Sequence, residues 1–328
     1  MPEVLITHPR LRPEGPHYDI LKRAGFDIRV PPDGSDTMQL DQLIDQIGTA
    51  DAAIAGLEPY NRQVITDSPH LRVVARCGVG YDTVDTVAAD ERNIAVTTTP
   101  GTNEHSVAEH ALAMMMAISR GFPVRDLIVR GRRPWVKPPL RRFAGQTVGI
   151  IGLGRIGRAL AMRLPSLQVK TIAYEPYPDK EFVAKYDVEL TGLDDLLSRG
   201  DMISLHVPVT DETREMINSE SLNKMKRGSM LINTARGQLV NEQDLHAALT
   251  SGQLSAAALD VFEEEPPADD HPLLDLENVL LCPHAAGVDT QSHHDSVVLC
   301  AEVIVDLFEG RWPAHCVMNL PGVTDWKW

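Results

Sequence analysis

Cationic side chains are in short supply in this sequence, and that narrows the range of partners. Lys and Arg number 31 against 46 Asp and Glu, a net charge of −15. Nucleic acids and anionic membranes are bound through a basic face, so neither is expected as a partner. Cysteine is scarce too. Cys77, Cys282, Cys300 and Cys316 stand far apart and form no C-x-x-C pair. No disulfide framework and no zinc site is therefore expected, no metal is assigned, and reduced thiols of a cytoplasmic protein are the plain reading. Long apolar runs are also missing. The longest, Ala111 to Ile118, is far short of the ~20 residues that span a bilayer. The opening Met1-Pro-Glu-Val-Leu-Ile-Thr-His8 goes straight into a strand-like run, with no basic segment leading an apolar one. With 43% hydrophobic and 23% charged residues, the 328-residue chain reads as a cytoplasmic globular protein with room for two domains.

What the sequence does contain centres on Thr147-Val-Gly-Ile-Ile-Gly-Leu-Gly-Arg-Ile-Gly157. Val148, Ile150 and Ile151 give a short β-branched strand signal, and a helical apolar pattern continues from Arg158 to Leu164. Between them Gly152, Gly154 and Gly157 fall on the G-x-G-x-x-G spacing. The first glycine permits the tight turn, the second admits a pyrophosphate to the backbone, and the third lets helix and strand approach. Phosphates then meet the unpaired N–H groups at the start of the helix. A second strand, Val169 to Tyr174, ends in Glu175, where an acid would hold a ribose 2′-hydroxyl. Its carboxylate would repel the extra phosphate of NADP, and no Arg follows among Pro176, Tyr177 and Pro178, so the expected cofactor is NAD.

Strand and helix signals alternate along the rest of the chain, which predicts βαβ units and parallel sheets. Before the glycine loop, strands are expected at 4–7, 25–30, 52–55, 71–75 and 94–97, and helices at 19–24, 40–47, 64–68 and 84–92. Thr99-Pro100-Gly101 reads as a hinge, followed by a helix over 106–119 whose Met114, Met115 and Met116 read as core filling. From Arg120 to Phe143 a basic connector carries Trp135, either a plug for a partner surface or a cover for its own domain. The second α/β run has strands near 148, 171, 202–205, 230–233, 257–260 and 279–281 and helices near 156, 193, 219 and 243, a doubly wound pattern of six strands. A last helix over 295–308 and the tail to Trp328 are expected to return to the first domain. The expected fold class is thus α/β with two doubly wound parallel-sheet domains, divided as 1–99, 100–286 and 287–328, a Rossmann dinucleotide domain inserted into a flavodoxin-like one.

Reading the strand ends singles out Arg236, after Leu231-Ile-Asn-Thr-Ala235, Glu265, within Asp260-Val-Phe-Glu-Glu-Glu-Pro266, and His284, after Leu280-Leu-Cys-Pro283. Each alone is more often a surface arginine, a solvated turn acid or a capping histidine than a catalytic residue. Together, at the carboxyl ends of one sheet, they form a candidate catalytic set.

These segments, with His206-Val-Pro-Val-Thr210, Thr213, Ile217-Asn218, Val107-Ala-Glu-His110 and Gly78-Val-Gly-Tyr-Asp82, give the sequence a resemblance to the D-isomer-specific 2-hydroxyacid dehydrogenase family over essentially its full length. The resemblance implies reversible hydride transfer between NAD(H) and a 2-hydroxy or 2-keto acid. It implies that Arg236 grips the substrate carboxylate and polarises the carbonyl, that His284 exchanges the proton, and that Glu265 orients the imidazole. For the cofactor it implies Gly152, Gly154, Arg155, Ile156 and Gly157 at the pyrophosphate, Glu175 at the ribose, and His206, Pro208, Thr213, Thr234, Ala235 and Asp260 toward the nicotinamide half. For the substrate it implies the Val79-Gly80 backbone and Asn103, while Arg76 is a further anion-binding candidate. It also implies a homodimer formed through the cofactor domain, with Trp135 a candidate to enter the partner's site.

Short chains described as phosphoglycerate dehydrogenases and glyoxylate or hydroxypyruvate reductases are similar in form. In 3-phosphoglycerate users, arginines tend to follow the third strand. Here that loop reads Ala55-Gly-Leu-Glu-Pro-Tyr-Asn61, with Glu58 where a cation is wanted and Arg62 just beyond. No C-terminal regulatory domain is expected. A small acid of the glyoxylate or hydroxypyruvate kind is favoured over phosphoglycerate. The alternative from another class is an NAD(H)-sensing binding protein like the C-terminal-binding-protein corepressors, which Pro283-His-Ala-Ala286 resembles. Intact Arg236, Glu265 and His284 favour the enzyme. Formate dehydrogenases carry Gln beside the histidine, against Glu265 here.

Overall fold

The computed structural model describes residues 1–8, 14–137, 140–323 and 325–328. Pro138 and Pro139 of the connector and Thr324 of the tail lie outside the described residues. The chain divides into two compact units, one of Met1–Asn103 with Val288–Trp328, the other of Glu104–Gly287.

The first unit runs β1 (Glu3–Ile6), α1 (Pro16–Arg23), β2 (Asp27–Arg29), α2 (Leu40–Ile47), β3 (Ala52–Ala55), α3 (Arg62–Asp67), β4 (Val73–Arg76), α4 (Thr86–Glu91) and β5 (Ala95–Thr97). Its sheet is parallel throughout in the order β2-β1-β3-β4-β5, the flavodoxin-like order. The period-two alternation of the strands sorts their side chains onto two covered faces. Val4, Ile6, Ile54, Val73 and Ala75 form one core, and Leu5, Ala53, Val74 and Val96 join Leu43, Ile47, Val64 and Ile65 in another.

The second unit continues with α5 (Glu104–Ser119), α6 (Phe122–Val129), β6 (Thr147–Ile151), α7 (Arg155–Ala161), β7 (Lys170–Tyr174), α8 (Lys180–Lys185), β8 (Glu189–Leu190), α9 (Leu193–Arg199), β9 (Met202–Leu205), α10 (Ser219–Lys224), β10 (Ser229–Asn233), α11 (Glu242–Thr250), β11 (Leu254–Leu259) and β12 (Val279–Leu281). Its sheet has seven strands where six were expected, in the order β12-β11-β10-β9-β6-β7-β8. The extra one is the two-residue β8, too short to register as a periodic pattern. The order reverses between β6 and β9, so the carboxyl ends of these two strands flank a switch point, where open α/β sheets bind ligands.

Two local expectations change. The 120–143 connector contains α6, started by Pro123 in its first turn after Gly121 in the left-handed region (φ 61°). Of the three methionines, Met114 and Met115 fill the core but Met116 is exposed.

The chain returns to the first unit with α12 (Thr290–Phe308), longer than expected because Asp289 caps it, accepting from the Gln291 and Ser292 N–H groups. Cys300, Ala301, Val303, Ile304 and Leu307 on α12 complete the first core. The tail continues there. Thr98 N–H donates to Cys316 O, Met318 N–H to Val96 O and Trp326 Nε1–H to Asn93 O, and Trp328 stacks edge-on against Phe26 and Phe308.

Candidate active site

The glycine loop of the second unit is built by close approach. Gly152 has φ 96°, and a Cβ there would stand 2.5 Å from His206 O. A Cβ on Gly157 would stand 2.0 Å from Gly152 O, so the helix can start against the strand only with glycine at this position. Gly154 differs, since a Cβ there would meet nothing within 4 Å. It is the N-cap of α7 and supplies no side-chain cap to the first N–H groups of the helix. Arg155 is exposed and Ile156 half-buried on the first turn.

Glu175 stands at the carboxyl end of β7 and ties the loop down. Its Oε2 accepts from Leu153 N–H at 2.8 Å and its Oε1 from Tyr177 N–H at 3.0 Å. The carboxylate is thus fixed beside the glycine loop. Replacing it with the neutral isostere, Glu175→Gln, keeps an acceptor for Leu153 and removes the charge. The ratio of kcat/KM for NADH over NADPH should fall by about tenfold, since like charges placed together in a binding site cost on the order of 1 kcal/mol or more. An unaltered ratio would refute the ribose assignment.

His206 donates its backbone N–H to Ile151 O, and its Nε2 lies 2.9 Å from Ser204 Oγ. Burial pushes its pKa down to about 4, so the ring is neutral at any pH of working interest. Thr213 uses its hydroxyl within its own loop, donating to Pro208 O at 2.7 Å and accepting from Thr210 N–H at 2.7 Å. It shapes the Pro208 turn. Thr234 behaves differently, for its hydroxyl is buried with no hydrogen-bond partner. An orphan of this kind, the open space at Gly154 and the uncapped helix start are what a dinucleotide would satisfy, and the residues fit it.

Arg236 follows β10, and its loop is held by a residue not singled out from the sequence. Asn233, 1% exposed, donates from Nδ2 to Arg236 O at 2.8 Å and accepts Ala235 N–H on Oδ1 at 3.0 Å. Gly237 lets this loop touch the segment after β11, since a Cβ there would stand 1.9 Å from the Phe262 carbonyl carbon. Glu265 and His284 meet directly, Oε2 to Nδ1 at 2.6 Å, with both side chains about one-third exposed (31% and 32%). The second carboxylate oxygen accepts Phe262 N–H at 3.0 Å. Burial pushes the Glu265 carboxyl up, but the hydrogen bonds from His284 and Phe262 and the charges of His284 and Arg236 outweigh it, and its pKa falls below the usual carboxylate range. Glu265 is an anion aimed at one imidazole nitrogen, which leaves the other nitrogen of the ring for a substrate proton.

The backbone of His284 is in the left-handed region at φ 51°, uncommon for a residue other than glycine. Asp260 holds it there. His284 N–H donates to Asp260 O at 2.7 Å, and the buried Asp260 carboxylate accepts Ala285 N–H and Ala286 N–H, each at 2.8 Å. The structure therefore places Asp260 as the clamp of the histidine turn, with both oxygens engaged. An acid closing a strand and a histidine after Pro283 were both visible in the sequence; the contact between them depends on β11 pairing with β12.

In the first unit, Arg76 lies beneath the loop it was expected to serve. It is 4% exposed and donates from Nε to Gly80 O and from Nη1 to Ala55 O, both at 3.2 Å. It shapes the Val79-Gly80 loop from below, and Thr99 Oγ1 accepts Gly78 N–H at 3.0 Å from another side. Glu58 is buried as well, at 1% exposed. Burial pushes its pKa up, against the opposing pull of its own backbone N–H, the nearby Arg76, the Gly56 N–H and the Thr7 hydroxyl. The sequence puts Glu58 where a phosphate-binding cation is wanted, and this buried placement does not present its carboxylate to an arriving phosphate. Arg62 instead turns to Glu91, pairing Nη1 with Oε2 at 2.6 Å and Nη2 with Oε1 at 3.2 Å. Asn103 keeps a buried Oδ1 without a partner.

Residues 112–286 match the NAD-binding domain of the D-isomer specific 2-hydroxyacid dehydrogenases. A glyoxylate reductase of Thermofilum pendens is 38% identical over 325 residues, covering 96% of this chain and 94% of that protein. A D-3-phosphoglycerate dehydrogenase of Archaeoglobus fulgidus is 36% identical over 308 residues, covering 93% of this chain, but this chain spans only 57% of that relative's length. Among solved structures, a D-lactate dehydrogenase of Aquifex aeolicus complexed with NAD and lactic acid superposes with a TM-score of 0.84 at 26% identity, over 97% of this chain and all of that one. The glycine loop and the imidazole–carboxylate pair lie at the carboxyl ends of strands of one sheet. The chain belongs to the D-isomer-specific 2-hydroxyacid dehydrogenase family.

Proposed function

We propose that the protein interconverts a small, unphosphorylated 2-keto acid and its D-2-hydroxy acid, with glyoxylate or hydroxypyruvate as the favoured substrate. The observation that carries the chemistry is the 2.6 Å contact of Glu265 Oε2 with His284 Nδ1 on a turn clamped by Asp260. NAD(H) held at the glycine loop supplies or accepts the hydride. During reduction His284 gives a proton to the carbonyl oxygen, and during oxidation it takes one from the hydroxyl. Glu265 fixes the ring. Arg236 grips the carboxylate with its planar fork and draws electron density from the adjacent carbonyl. The backbone of Val79-Gly80 and the Asn103 side chain are proposed as further substrate contacts. Cofactor contacts are proposed for Gly152, Gly154, Arg155, Ile156, Gly157, Glu175, His206, Pro208, Thr234 and Ala235.

The pairing of Arg62 with Glu91 and the burial of Arg76 support an unphosphorylated substrate, because both cations near the loop after β3 are already engaged within the protein. The test is NADH consumption with glyoxylate, hydroxypyruvate, pyruvate and longer 2-keto acids, beside NAD reduction with 3-phosphoglycerate. Turnover should be greatest with one of the two small acids. Fast phosphoglycerate oxidation would move the assignment to phosphoglycerate dehydrogenase, and NADH binding without any turnover would favour a nucleotide-sensing protein.

Glu265→Gln keeps a hydrogen-bonding partner for the ring but removes the anion. Turnover in keto-acid reduction should then fall by about tenfold or more while NADH affinity holds, because the ring loses the anion that fixes its orientation. Unchanged turnover would exclude the carboxylate from positioning the proton donor. We further propose a homodimer formed through the second unit. Phe122, Val129, Trp135 and Val136 support it, as a run of apolar side chains exposed by 57% or more around α6 and the connector. Sedimentation equilibrium of the full chain measures the mass directly.

A further inference from the structure

We infer that His8, Cys77 and His293 form a site for one borderline-soft divalent cation of the Zn²⁺ class, with three protein ligands and an open fourth position. The sequence separates these residues by most of its length, and the sheet order of the first unit reunites them. β1 and β4 flank β3, so the residues just beyond their carboxyl ends share one rim. His8 N–H bonds to Ile54 O and Cys77 N–H to Ala55 O, which ties both to the end of β3. His293 is in the first turn of α12, its N–H bonded to the capping Asp289.

One ligand atom from each residue lies within 4.8 Å of the other two. Zn–N and Zn–S bonds in a tetrahedral site would set these atoms about 3.3–3.7 Å apart, so closure needs side-chain movements of about 1 Å and no change of backbone. The rings of His8 and His293 are tilted by 48° with centroids 5.6 Å apart. Two imidazoles on one tetrahedral ion stand about 5 Å apart, and the present arrangement is close to that. The donor set selects the ion. A thiolate with two imidazoles suits Zn²⁺ and disfavours Mg²⁺ or Ca²⁺, which require oxygen ligands. All three side chains are half-buried, within reach of an ion but shielded from bulk water. A second grouping, His110 with Asp260 and Cys282, is set aside because both Asp260 oxygens already hold the histidine turn.

The test is titration of the chelator-stripped full-length protein with Co²⁺ as the probe, followed by optical absorption. We expect one equivalent to bind with a thiolate-to-cobalt charge-transfer band and the intense visible bands of a tetrahedral site, and Zn²⁺ to displace it. Cys77→Ser should abolish the charge-transfer band. His8→Gln and His293→Gln should each weaken binding by about tenfold or more, and His294→Gln, on the exposed neighbouring position, should leave it unchanged. NADH binding, measured on every sample, reports that the chain is folded and keeps this test separate from the catalytic one. A folded protein that binds no Co²⁺, a band that survives Cys77→Ser, or a band lost in Cys282→Ser and kept in Cys77→Ser would overturn the site.

Discussion

His284→Ala should lower keto-acid turnover by about 10²–10⁴-fold, the usual contribution of a placed proton donor, while NADH affinity stays nearly unchanged. The position adds a complication of its own. His284 has φ 51°, where alanine is strained and asparagine is tolerated. His284→Asn therefore removes the proton donor without burdening the turn. If both variants lose turnover alike, and only the alanine variant also loses thermal stability, the effect is chemical. Turnover that persists in His284→Asn would remove the residue as the acid. The Asp260 clamp makes the distinction possible, because the hydrogen bonds to Ala285 and Ala286 hold the turn whatever side chain stands at 284.

The second large effect separates two glycines three residues apart. Gly157→Ala would drive a methyl to 2.0 Å from Gly152 O, a backbone atom that cannot yield without moving the turn. Its expected cost is about 3 kcal/mol or more, with loss of NADH binding following from the disturbed loop. Gly154→Ala meets nothing within 4 Å in the protein, so stability should hold to within about 1 kcal/mol. The same methyl would stand at the uncapped start of α7, and NADH affinity should fall by about tenfold or more. Thermal melts beside fluorescence titrations with NADH check both. Two variants equally destabilised, or a Gly154→Ala protein of normal affinity, would contradict the pyrophosphate assignment.

Much of this architecture was legible because it rests on local periodicity. Fully buried parallel strands such as Ala52–Ala55 and Met202–Leu205 announce themselves as short apolar runs, and the glycine spacing needs only the strand before it and the helix after. Features fixed by tertiary contact were less visible. The start of α12 depends on the Asp289 cap, which a search for apolar periodicity passes over because the first turn is polar. Arg76 reads as a cation at a strand end and only the fold shows its guanidinium bonded to two carbonyls under the loop. Glu58 likewise reads as a loop acid, and its burial depends on neighbours far away in sequence. The Asn233 brace could have been found, since an Asn closing a strand before Thr-Ala-Arg-Gly is a standard turn former.

The claim at the centre is that a hydride passes directly between the nicotinamide cofactor and C2 of a small 2-keto acid in the D sense. The most direct measurement supplies hydroxypyruvate with NADH deuterated at C4 on the transferred face, and analyses the product by mass spectrometry and chiral chromatography. The account predicts D-glycerate carrying one deuterium at C2. Unlabelled glycerate, the L-isomer, or no glycerate from a protein that oxidises phosphoglycerate would contradict it.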